Sequence, residues 1–186
     1  GLMPGLESTF QVERARFDTV LLDHARELGA EVRRETMVKA VEPVAGGHRV
    51  TLAGPTGEST LTVPWVIDAT GRETGLMSDQ KRALDPPVLA KRMAIFSHFE
   101  SGLRAPGREA GNILIVRLDD GWVWLIPIDE RRTSVGLVTT VEAFRAERAE
   151  PAAFFDRAVT ASPKLRELLA RATPTMAFHV TSDYSY

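Results

Sequence analysis

The sequence contains no cysteine, which excludes disulfide bridges, thiolate metal sites and a cysteine nucleophile. It has no surplus of charge. The 23 Lys and Arg residues stand against 25 Asp and Glu, a formal net charge of −2. The basic residues are also spread along the chain, so nucleic acid is not expected as a partner. Lysine is scarce, occurring only at Lys39, Lys81, Lys91 and Lys164. No apolar run approaches the roughly 18–20 residues that a membrane span needs, and no charged-then-apolar signal segment opens the chain. The expectation is a soluble, cytoplasmic protein with no membrane partner. Motifs are missing too. Without G-x-S-x-G a serine hydrolase has no support. Without G-x-x-x-x-G-K-[ST] or G-x-G-x-x-G the usual pyrophosphate-binding devices are absent. His24, His48, His98 and His179 fall in separate elements with no E-x-x-H or H-x-H spacing, so no metal site is expected.

What is present suffices for a core. Hydrophobic residues make up 44% of the 186, enough for one domain or one and a fraction. Phe17, Val20, Leu21, His24 and Leu28 recur at helical spacing and predict a helix with one buried stripe, stopped by Gly29. His24, beside that stripe, reads as a packed, hydrogen-bonded histidine. A brief strand is expected over Glu31 to Arg34. Met37 to Val44, His48 to Leu52 and Ser59 to Val63, separated by Gly46-Gly47 and Gly54-Pro55-Thr56-Gly57, predict a small antiparallel meander. Val63-Pro64-Trp65-Val66-Ile67 reads as a buried strand that ends at Asp68-Ala69-Thr70-Gly71-Arg72, as at the carboxyl edge of a mostly parallel sheet. Residues 73–87 then form a long connection and mark a domain boundary.

Val88 to Glu100, Asn112 to Leu118, Trp122 to Ile128 and Thr133 to Thr140 predict a larger antiparallel sheet. Asp119-Asp120-Gly121 and Asp129 to Arg132 supply its turns. Trp122 and Trp124 lie two apart and share a strand face, which Ile126 and Ile128 continue. Val123 and Leu125 make the other face apolar as well, so this strand is expected to be covered on both sides. Pro127 has no N–H and demands an edge or an irregularity. From Val141 onward the chain is helical. Pro151 and Pro163 fit first helical positions, Ser162 fits an N-cap, and Phe154, Phe155, Ala158, Val159, Leu165, Leu168 and Leu169 face inward. Met176 to Tyr186 reads as extended. By themselves, Asp68-Ala69-Thr70-Gly71 is a bland strand-to-loop turn and the double-tryptophan strand a piece of core.

In this order the segments resemble something more specific. Gln11-Val12-Glu13-Arg14-Ala15-Arg16-Phe17-Asp18, the helix ending at Gly29, the meander and Val66-Ile67-Asp68-Ala69-Thr70-Gly71-Arg72 resemble flavoproteins of the aromatic-hydroxylase fold. Trp122-Val123-Trp124-Leu125-Ile126-Pro127 matches the W-x-W-x-I-P motif of flavin-dependent halogenases. Asp183-Tyr184-Ser185-Tyr186 is similar to the segment preceding that family's second flavin motif, a Gly-Asp. The family's G-x-G-x-x-G unit, its halogenase lysine and the Gly-Asp itself have no counterpart here, so the resemblance makes this chain the middle of such an enzyme.

That resemblance implies an α+β fold. Residues 1–75 would be an incomplete FAD-binding domain, and residues 76–186 a substrate-type antiparallel sheet with helices. It implies FAD as the cofactor, though one this chain would not retain by itself. Gln11, Arg14, Ala69, Thr70 and Gly71 would lie near the flavin. Trp122, Trp124, Ile126 and Pro127 would form the wall between flavin and substrate cavities. No catalytic side chain is implied. The partners would be a small organic substrate and a flavin reductase supplying reduced FAD, and truncation surfaces would favour self-association. The implied reaction is halide oxidation for halogenation of the substrate. The alternatives are a flavin monooxygenase or reductase acting on an aromatic or isoprenoid substrate, and a non-catalytic β-rich module for apolar ligands.

Overall fold

A computed structural model describes residues 10–71, 91–102 and 104–181. The long connection expected over 73–87 and the closing motif Asp183 to Tyr186 lie outside the described residues. The described residues fall into two compact units, 10–17 with 91–181 and 18–71. The architecture is α+β, as expected.

Helix α1 (Arg14–Glu27), most of which lies in the unit of residues 18–71, closes with a Schellman motif. The Ala30 N–H donates to Ala25 O and the Gly29 N–H to Arg26 O, both at 3.0 Å. Gly29 adopts φ +97°, a conformation that glycine takes without steric cost. The periodicity therefore gives the helix correctly, but no residue of α1 is buried, and Val20 and Leu21 are more than half exposed. The expected buried stripe is not covered. His24 is correspondingly exposed, with Nδ1 3.4 Å from Glu27 Oε2, one turn away. It is a surface pair, not a packed histidine. Glu31 to Arg34 forms no strand; Arg33 Nε instead donates to Glu31 at 2.6 Å.

The meander is as expected: β1 (Met37–Val44), β2 (Gly47–Gly54) and β3 (Gly57–Val63), all antiparallel. A register shift between Val38 and Ala40 leaves Lys39 as a bulge. A side chain at Gly47 would run into the backbone of Val63 and Pro64, which fixes glycine there. The predicted buried strand over Val63 to Ile67 does not form. β3 ends at Val63, residues 65–70 are irregular, and Trp65 and Ile67 are 83% and 90% exposed. An apolar strand of a parallel sheet is buried only when strands flank it and helices cover it. No described strand flanks this one.

The other unit is built on a sheet of order β5-β6-β7-β4-β8, with β9 also paired to β4. Its strands are β4 (Arg92–Glu100), β5 (Leu114–Leu118), β6 (Gly121–Pro127), β7 (Arg132–Thr140), β8 (Thr173–Pro174) and β9 (His179–Thr181). Helices α2 (Val141–Glu147), α3 (Pro151–Ala161) and α4 (Pro163–Leu169) follow β7. Pro151 and Pro163 occupy first turns, and Ser162 Oγ accepts from Leu165 N. The core lies between one sheet face and α3 and α4. Ile95, Val123, Val135 and Leu165 are fully buried there, packed with Phe99, Leu125, Phe155 and Leu168. Phe99 stacks on Phe155 at 5.7 Å.

Candidate functional site

Alternation divides β6 between two environments. Val123, Leu125 and Pro127 point into the helix-covered core, while Trp122, Trp124 and Ile126 point the other way and are half-buried. The tryptophans are therefore not core, and the strand is not covered on both sides as its composition suggests. Both faces of β6 are apolar, but only one has helices packed on it. Pro127 separates from the rest of its motif. It lies on the core side, where it lines a cavity of about 270 Å³ with Leu125, Thr133, Leu168 and the 104–114 loop.

Pro127 also sits on an interior strand. The Ile128 N–H donates to Arg132 O at 2.9 Å, toward β7, so by alternation position 127 faces β5. Strand β5 ends at Leu114, opposite Leu125. The proline's missing N–H therefore removes no ladder bond, which is how an interior strand accommodates it.

The tryptophan face is an aromatic row that crosses the sheet. Trp124 lies opposite Gly136, and a Cβ at Gly136 would overlap the Trp124 indole. The ring occupies space that only glycine leaves. Phe96, on the far side of Gly136, stands 6.1 Å from Trp124, and the exposed His179 ring stacks on Phe96 at 5.6 Å. The Trp124 Nε1–H donates to Ser134 Oγ at 3.2 Å. The Arg92 guanidinium lies over Trp122, 5.3 Å from the ring centroid, a cation–π contact. His98 is paired across the sheet with Ser134 and shares the face of Phe96.

A charged rim borders this face. Arg132 Nη2 donates to Glu13 Oε2 at 3.0 Å and Arg132 Nε to Asp129 Oδ2 at 2.7 Å. The Asp129 carboxylate also accepts from the Arg132 and Arg131 N–H groups, at 2.7 and 2.9 Å. These backbone bonds, with the Arg132 side chain, hold the carboxyl well below the usual carboxylate range. Burial, and then the Arg132 cation, lower the pKa of His98; His179 adds to the effect, and Glu13 and Asp129 oppose it. These effects favour the neutral imidazole.

The residues singled out near a flavin are divided between the two units. Gln11 is half-buried and its Nε2 donates to Gly111 O at 2.7 Å. Arg14 opens α1 and is exposed. Ala69, Thr70 and Gly71 are exposed. Asp68 Oδ1 accepts from Thr70 N at 3.0 Å and from Thr70 Oγ1 at 2.6 Å, a local Asx turn. Gly71 adopts φ +68°, and a Cβ there would meet nothing within 4 Å. This loop can therefore be approached closely, but it forms no phosphate cradle, and the Thr70 N–H is already engaged. The described residues of this loop do not form the seat of a pyrophosphate. No group of three His, Asp or Glu close enough to hold a metal occurs among the described residues.

Sequence reasoning missed Phe96, His98, Ser134, Gly136 and His179. Alternation within β4 and within β7 was legible, but the meeting of Phe96, Gly136 and His179 with Trp124 depends on how β4, β6, β7 and β9 pair.

The fold and this aromatic face define a class, the flavin-dependent halogenase fold. The chain superposes on the myxobacterial chondrochloren halogenase CndH, described as a variant of FAD-dependent halogenases, with a TM-score of 0.84 and 30% identity, over 100% of this chain and 45% of that one. It superposes on CmlS, a flavin-dependent halogenase, with a TM-score of 0.83 and 29% identity, over 94% of this chain and 32% of the other. The chain belongs to the tryptophan halogenase family, whose family model matches residues 2–173. It is 30% identical to the 1H-pyrrole-2-carbonyl-[peptidyl-carrier protein] chlorinase of Pseudomonas fluorescens, over 96% of this chain and 41% of that protein. It is 29% identical to the tryptophan 2-halogenase of Chondromyces crocatus, over 96% of this chain and 35% of that protein. The chain thus spans well under half the length of these relatives.

Proposed function

We propose that this chain supplies the substrate-side wall, and part of the flavin-side surface, of a flavin-dependent halogenase. Residues 1–75 are assigned to the flavin domain and 76–186 to the substrate domain. One observation carries the reading. Trp122, Trp124 and Ile126 form a semi-rigid aromatic face on a sheet whose opposite face is packed, so the wall is backed by core and does not yield.

FAD, when bound and reduced, supplies with dioxygen the oxidising equivalent for halide. This chain's residues act by shape. Trp122 and Trp124 separate an organic substrate from the flavin side, so that hypohalous acid and not the substrate passes the wall. Gln11 and Arg14, with the exposed Ala69-Thr70-Gly71 loop, are assigned to contacts with the flavin. The uncovered positions on α1 and at Trp65 and Ile67 are surfaces that a polypeptide of the relatives' length would cover. A flavin reductase supplies reduced FAD, the substrate is a small organic molecule, and the setting is the cytoplasm. No described helix is long and apolar enough to cross a membrane.

The test uses a protein of the relatives' length containing these 186 residues, with reduced FAD, dioxygen and halide. A chlorinated or brominated product is expected. A hydroxylated or saturated product in the presence of halide favours the monooxygenase or reductase reading. Binding of an aromatic ligand with no flavin requirement and no turnover favours the non-catalytic module.

A further inference from the structure

The aromatic row has a polar end that the wall reading does not use. His98 lies beside Phe96 on β4 and opposite Ser134 on β7, and Ser134 already receives the Trp124 indole N–H. Cross-strand neighbours stand roughly 5 Å apart and same-face neighbours along a strand about 7 Å. Trp124, Phe96, His98 and Ser134 thus enclose a patch the size of one aromatic ring, apolar on one side and polar on the other. The His98 imidazole is half-buried, and neither ring nitrogen has a hydrogen-bond partner among the described residues; the bonds of its backbone carbonyl, from Thr175 and Ser97, leave the ring free. A half-buried imidazole with both nitrogens unused is an available recognition group.

We propose that His98 is a substrate-contacting residue of this face. Its imidazole accepts a hydrogen bond from the O–H or N–H of a planar aromatic ring laid against Trp124 and Phe96. This rests on the Trp122–Trp124 face being the substrate wall. The groups facing His98 are Arg132 from β7, Glu13 from the segment before α1, Asp129 from the β6–β7 turn and His179 from β9. Burial and the Arg132 cation favour the neutral imidazole, which has one nitrogen free to accept. The carboxylates of Glu13 and Asp129 are occupied by Arg132, so they do not compete for the same donor.

Two probes of the same shape test this on the 186-residue chain: p-cresol, and 4-methylanisole, in which the O–H is capped. Binding is followed by NMR through the Trp122 and Trp124 indole N–H signals and the His98 ring C–H signals. The phenol is expected to bind roughly tenfold more tightly than the ether, the scale of one hydrogen bond in a half-buried site. His98→Leu should bring the phenol to the level of the ether and leave the ether unchanged. His98→Gln, whose amide oxygen can accept, should keep most of the preference and serves as the second variant if His98→Leu unfolds. The preference should fade as acid protonates His98. Equal binding of the two probes to the unaltered chain, with the indole signals shifting, overturns the role of His98 and leaves the wall reading standing. A preference that survives in His98→Leu does the same. If neither probe shifts the indole signals, both readings fall.

Discussion

Gly136 is the residue on which the aromatic face turns. It is buried in the middle of β7, and the Trp124 indole takes the volume that a side chain would fill. Gly136→Ala must therefore push the indole off the sheet. Overpacking of this kind costs about 1–3 kcal/mol. A fall in the urea midpoint, with a red shift of tryptophan emission as the ring enters water, is the expected result. Unchanged emission would mean that the ring tolerates the methyl group and that glycine has another purpose there. On the opposite face, Phe155→Ala removes a side chain that is only 2% exposed and should cost about 3–5 kcal/mol. The contrast separates a residue whose loss reshapes the wall from one whose loss weakens what stands behind it. Neither is legible from residue type. Glycine in a strand signals a close approach, but the sequence does not say that Trp124 makes it.

At the scale of elements, the β6–β7 turn is tied from both sides. Asp129 receives two backbone N–H groups and the Arg132 Nε. Arg104 donates to Asp129 O, to Arg132 O and to Thr133 Oγ1. Arg104→Ala leaves the two turn carbonyls and a buried threonine hydroxyl without this partner and should cost roughly 1–3 kcal/mol, read as a lower urea midpoint. Asp129 gives the pH dependence. Its folded pKa lies below the unfolded value, about 3.9. The stability it contributes is therefore fully present above that value and is lost as pH falls from there through the folded pKa. Asp129→Asn should remove this acid sensitivity and speed hydrogen exchange at the Arg131 and Arg132 amides at neutral pH. Unaltered exchange would show that the turn is held by Arg104 alone. Sequence reasoning reads Asp129 to Arg132 as a solvated turn, which is right for the backbone. It misses the network because Glu13 and Arg104 come from 119 and 28 residues away from Arg132.

For the whole molecule, the decisive feature is apolar surface left uncovered. Strand β5 is an edge strand with Leu114 and Ile115 exposed, and Trp65, Ile67 and the α1 stripe are exposed in the other unit. Unpaired apolar edges recruit further strands. The 186-residue chain is therefore expected to self-associate above micromolar concentration, and Ile115→Lys should shift it toward monomer in sedimentation velocity. A monomeric unaltered chain would contradict this. The chain is also expected to lose flavin on desalting, because the described residues offer contact without a phosphate cradle. A flavin absorbance band that survives desalting would overturn that.

The sequence by itself determined the elements and the family. Short-range chemistry suffices for these: helical spacing and the Gly29 stop for α1, glycine-containing turns for the meander, and N-terminal prolines with the Ser162 cap for α3 and α4. The W-x-W-x-I-P run likewise marks its own branch. Burial was decided only by tertiary structure, since an apolar stripe looks the same whether or not a partner covers it. Hence the α1 stripe, Trp65 and Ile67 read as buried and are exposed. Taken alone, Trp122 and Trp124 read as core, and they form an open face; Pro127 parts company with them because strand alternation sends it to the other side. His98 and His179, unremarkable and 81 positions apart, share one face because β4 pairs with both β7 and β9.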